Sequence, residues 1–163
     1  MWTRRLLASS LMTLAATAAG AQDAQKEPPA PGTGTQPTSP QKRTPAPHDA
    51  YLYIIWPGQG DRVRGPFWIR FGLRNMGVTH AGDAHPNSGH HHLLVDTDEP
   101  LDPNEPIPTD KNHLHFGGGQ TEARLELPPG KHTLQLVLGD ADHRLFDPPV
   151  ISRKITIEVL PGK

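Results

Sequence analysis

Nine of the ten histidines of this 163-residue chain fall between His80 and His143. His90, His91 and His92 are consecutive at the head of an apolar run, and His113 and His115 follow after a proline-rich stretch. Imidazole is the commonest protein metal ligand and titrates, unperturbed, near neutrality. So local a concentration calls for a metal ion, a proton-handling role or a buried hydrogen-bond network. In a strand, residues two apart share a face. His90 and His92 then point one way, while His91 points the other with Leu93 and Val95. His113 and His115 also share a face, opposite Leu114 and Phe116. Neighbouring strands lie about 4.8 Å apart, so two His-x-His pairs can surround one ion with nitrogens ~2.0–2.1 Å from it.

On this reading the metal ligands are His90, His92, His113 and His115, with His143 of the Asp140-Ala141-Asp142-His143 turn as a fifth. The chain has no Cys, and Met76 is the one Met beyond the N-terminal leader, so thiolate and thioether sites are excluded. Imidazole ligands then suit copper or zinc. The competing reading needs no ion: the same imidazoles bond loop carbonyls and the carboxylates of Asp96, Asp110 or Asp140, and lock two long loops. A copper monooxygenase brace would need His as the first mature residue, which Gln22 does not supply. Gly117-Gly118-Gly119-Gln120 lacks the Gly-Lys-Ser/Thr of a phosphate loop and reads instead as a turn or a close backbone approach to His115. No nucleophile triad or carboxylate pair stands out, so a metalloenzyme is the weakest of the three functional readings.

The elements that must position these residues are strands. Phe67, Phe71 and Leu73 mark one apolar side of a strand running to Arg74. Thr121 to Leu127, His132 to Leu138 and Lys154 to Val159 alternate apolar and polar residues. Such alternation puts one face on a core and one in water. Tyr51 to Trp56 and His91 to Val95 are continuously apolar and predict strands buried on both sides. Pro57-Gly58, Pro128-Pro129-Gly130 and Gly139-Asp140 mark turns. Short strands at this spacing predict an all-β, immunoglobulin-like antiparallel sandwich. Two long loops, Met76 to Gly89 and Thr97 to Asn112, flank the triple histidine.

The rest of the chain bounds location. Arg4 and Arg5 precede an apolar stretch to Ala19, and Ala19-Gly20-Ala21 fits a signal-peptide cleavage site, so residues 1–21 predict a secretory leader into a bacterial periplasm. Between Gln22 and Asp49 there are seven prolines and no Val, Ile, Leu, Met or aromatic residue. That composition predicts a disordered linker over 22–49 and leaves 50–163 as the sandwich domain. The tether suits reach toward another periplasmic or envelope protein. With 16 Lys+Arg against 17 Asp+Glu and no basic stripe, nucleic acid is not an expected partner, and no membrane span remains once the leader is removed.

Three stretches carry a resemblance. Ser88-Gly89-His90-His91-His92-Leu93-Leu94-Val95-Asp96, His113-Leu114-His115-Phe116-Gly117-Gly118-Gly119-Gln120-Thr121-Glu122 and Pro128-Pro129-Gly130-Lys131-His132-Thr133-Leu134-Gln135-Leu136, with Asp140 and His143 after them, resemble exported bacterial domains described as a domain of unknown function (DUF4399). The likeness runs from Tyr51 to Val159. It implies a periplasmic β-sandwich whose motif histidines sit together, and implies no particular activity.

Overall fold

The alternating stretches form strands that close into two sheets. A computed structural model describes residues 42–162, so the predicted leader and most of the predicted linker lie outside the described residues. In chain order the strands are β1 (Tyr51–Trp56), β2 (Arg62–Arg64), β3 (Phe67–Arg74), β4 (Gly77–Val78), β5 (Ser88–Val95), β6 (His113–Phe116), β7 (Glu122–Leu125), β8 (Gly130–Gly139) and β9 (Ile155–Leu160). The smaller sheet has the order β1-β3-β7. The larger runs β2-β9-β8-β5-β4, with β6 also paired to β5. Pairing is antiparallel except for the short edge pairs β2–β9 and β4–β5. This is an all-β, immunoglobulin-like sandwich, as the alternation predicts. Among the described residues no helix is long and apolar enough to cross a membrane.

Parity decides what each strand contributes. Leu93 and Val95 of β5, Leu134, Leu136 and Leu138 of β8, and Ile157 and Val159 of β9 face the smaller sheet. There they meet Phe67, Ile69 and Phe71 of β3. The opposite residues of β5 and β8 carry a second, smaller apolar cluster: Leu94, Val137, Ile107 and Leu145, with Leu101 packed on it. The loop after β5 and the turn after β8 therefore cover the outer face of the large sheet. β5 is buried along almost its whole length for this reason.

Two expectations need correction. β1 is not buried on both sides: Tyr51 and Ile55 are about half exposed, and so is Trp68 of the central strand β3, because the outer face of the smaller sheet is open to solvent. Its apolar character reflects an aromatic outer surface. The rings of Tyr51 and Tyr53 stack 5.4 Å apart beside the Arg74 guanidinium, and Tyr53 covers Gly72, where a side chain would collide with the ring. The linker also ends earlier than composition suggests. Ala46 is in the core, its N–H donates to the Asp147 carbonyl at 3.0 Å, and the Asp147 N–H donates to the Thr44 carbonyl at 2.9 Å. Residues 42–49 thus form a strap anchored through Ala46, held by these backbone bonds and by the Arg43–Asp147 ion pair.

The core argument gives a direct expectation. Leu136 is fully buried at the middle of β8, so Leu136→Ala should cost ~2–5 kcal/mol. Urea unfolding measures it; a loss below about 1 kcal/mol would mean that the two sheets do not pack through this residue.

Candidate metal centre

β5, β6 and β8 meet where the outer face of the large sheet is covered. His92 is directly opposite His115 on one side and Val137 on the other, and His90 is opposite Gly139. The absence of a side chain at Gly139 makes room for the imidazoles. A Cβ there would lie 2.9 Å from His92 Nε2. Gly117 plays the same part for His115, whose ring occupies the space a Cβ would need. The close backbone approach expected of the Gly117 turn is found.

In this space His90, His92 and His115 each offer a nitrogen, and the three lie within 4.8 Å of one another. His90 and His92 are completely buried, and His115 is partly exposed. The ring of His143 closes the group, with its centroid 4.8 Å from both His90 and His115. His143 has a left-handed backbone, φ 63°, which a residue other than glycine adopts at some cost. Asp140 holds it there. Its carboxylate accepts from the Asp142 and Arg144 N–H groups, its carbonyl accepts from the His143 N–H, and Thr44 Oγ1 donates to its other oxygen at 2.6 Å.

The histidines differ in the kind of partner they find. His91 faces the core, as strand parity predicts; its Nδ1 donates to the Gln120 carbonyl beside Phe71, and its Nε2 is buried among apolar groups without a partner. His132 donates from Nδ1 to Asp96 and from Nε2 to the Pro128 carbonyl. Those two bonds require the charged form. Burial opposes that charge, but the Asp96 and Pro128 oxygens outweigh it and hold the His132 pKa above the ordinary value. His80 and His85 are exposed and stand apart.

His113 does not join the group. It shares the outer face with His115, but register places it opposite Leu94, one step beyond His92. Its Nδ1 donates to Asp110 at 2.9 Å. Asp110 also accepts the backbone N–H groups of Asn112 and His113, so a local turn captures the imidazole.

The cluster histidines bond no carbonyl or carboxylate. His90 and His92 share a single bond, Nε2 to Nε2 at 3.0 Å. Nδ1 of both, and Nε2 of His115, are buried without a partner. Each such orphan costs about 1–3 kcal/mol. Burial, followed by the like charges of neighbouring imidazoles, pushes His90 down to about 4 and His92 to about 3. His115 is lowered by burial and by His143. At neutral pH these rings are uncharged and each carries one lone pair, which is the form a metal needs. The charge of Asp140, itself buried, acts in the opposite direction on His90.

Residues 69–160 match the family model described as Domain of unknown function (DUF4399). The chain belongs to this family. The DUF4399 region contains all four clustered histidines, His113, and strands β3 to β9, apart from the first residues of β3. No curated protein matches the chain. Among solved structures, the fibronectin(III)-like modules of Clostridium thermocellum CbhA are similar, at 14% identity over 69% of this chain and 99% of that one, with a TM-score of 0.38.

Two variants test this packing. Gly139→Ala should displace His92 and cost ~1–3 kcal/mol, whereas Gly162→Ala, with open space around it, should stay within about 0.5 kcal/mol. Chemical denaturation compares them, and equal stabilities would contradict the tight fit at Gly139. For the His132–Asp96 pair, a pKa raised above 6.5 means stability that is complete below pH 6.5 and lost as pH rises through the raised value. Asp96→Asn keeps an acceptor for the Thr133 N–H. It should therefore cost about 1 kcal/mol near pH 5.5, allowing for the partial exposure of Asp96, and much less near pH 9. An equal cost at both pH values would contradict a charged His132.

Proposed function

We propose that this protein binds a transition-metal ion, copper or zinc, through His90, His92 and His115, and serves as a carrier, buffer or accessory rather than an enzyme. One observation carries the reading: three imidazoles converge with buried ring nitrogens that have no protein acceptor. A hydrogen-bond network would satisfy them, as Asp110 satisfies His113 and Asp96 satisfies His132. An ion among the three rings would give each imidazole a strong partner where the protein supplies no carbonyl or carboxylate. Buried Asp140 would offset part of its charge. The burial of His90 and His92 favours retention over turnover, since a catalytic site keeps an open position.

The leader-like N-terminus supports an exported, periplasmic setting, where the proline-rich segment before the strap would tether the domain to an envelope partner. Export is testable apart from the metal. In a bacterial host, the mature chain should be recovered from the periplasmic fraction with its N-terminus at Gln22.

Native mass spectrometry after dialysis against micromolar zinc or copper should find one ion per chain. His92→Ala and His115→Ala should lower affinity by more than the ~10–100-fold that a supporting residue costs. His113→Ala should bind as the wild type does. No retained ion in the wild type, or equal loss from His113→Ala, would overturn the proposal.

A further inference from the structure

The shape of the cluster carries information beyond the presence of a site. We infer, resting on the metal-binding reading above, that the site is a tetrahedron built for zinc rather than copper(II), with His143 as its fourth and exchangeable corner.

The centre of an imidazole lies a little over 1 Å behind its ligating nitrogen. With bonds of ~2.0–2.1 Å to zinc, each ring centre then sits roughly 3.2 Å from the ion. Four such rings in a tetrahedron have centres about 5.2 Å apart in every pair. In a square plane, the geometry copper(II) prefers, four separations would be about 4.5 Å and the two diagonals about 6.4 Å. The separations between His90, His92, His115 and His143 are 4.9, 5.0, 4.8, 5.0, 5.9 and 4.8 Å. Only His92–His143 exceeds 5.0 Å, so the two long diagonals of a square are missing. The planes are inclined by 40° to 82°, so the rings are not stacked on one another.

The four corners are not equivalent. His90 and His92 stand on the central strand of the large sheet, and His115 on a strand paired to it. His143 stands on a turn after β8, and its nitrogens lie outside the group of three that converge within 4.8 Å. The turn is over-determined by Asp140, which keeps the ring beside the others despite its left-handed backbone. Completing the tetrahedron requires the His143 side chain to turn a nitrogen toward the other three. A metal held by three fixed imidazoles and one on a turn has an evident route for loading and release.

Cobalt(II), a spectroscopic stand-in for zinc, tests this. The wild-type protein with one equivalent of cobalt(II) should show the intense visible bands of a tetrahedral site. His143→Gly suits the left-handed backbone and removes the ligand; it should still bind zinc, but release it to a chelator at least about tenfold faster. His143→Asn, which also tolerates that backbone, provides a second variant should the first fold poorly. Tightly bound cobalt(II) with only the weak bands of six-coordination would overturn the inference, as would unchanged zinc release from both variants. Failure of the wild type to bind either zinc or cobalt would instead overturn the metal-binding reading itself.

Discussion

Two imidazoles with no access to water and no acceptor but each other set the constraint on which the site depends. Removing His90 and His92 from solvent costs hydration, and a protein normally recovers that cost with carbonyls or carboxylates. Here the neighbours are more imidazoles. The first consequence is electrostatic: the rings are held neutral well below their ordinary pKa, because burial and mutual repulsion both oppose a charge. The second is steric. Four rings fit on one patch of sheet only because Gly139 and Gly117 leave it bare, and because the loop around Ile107 and the turn at His143 close over it. The Ile107 N–H donates to the His143 carbonyl at 2.7 Å, which ties these two covers together.

The sandwich serves this arrangement by giving β5 two buried faces. Its inner residues make the core against β3, and its outer residues carry the histidines and then Leu94. The apolar cluster of Leu94, Ile107, Val137 and Leu145 fastens the covering segments beside the imidazoles. The strap at 42–49 adds a third fastening, reaching the His143 turn through Thr44 and Asp140. Stability of the outer layer and geometry of the site are therefore the same set of contacts.

Strand periodicity made much of this legible. The period of two separated His91 from His90 and His92, and Leu114 and Phe116 told which way His115 faces. It could not tell His115 from His113, since both share a face. Their fates differ by one step of register along β5 and by Asp110, a carboxylate three residues from His113 that bonds it locally. Periodicity also misread β1, because an apolar run looks alike whether its second face is covered or bears exposed aromatics. Gly139 was read as a turn marker, although its greater role is to lie opposite His90, which is a cross-strand relation. The end of the linker was hidden for a similar reason: Ala46 enters the core through backbone pairing with Asp147, and composition records only side chains.

The central claim is that these imidazoles surround one ion. X-ray absorption at the metal edge of the zinc-loaded protein tests it most directly. The account predicts four nitrogen neighbours at ~2.0–2.1 Å with the outer-shell scattering of imidazole rings. A shell of five or six light atoms without imidazole scattering, or zinc that washes out before measurement, would contradict it.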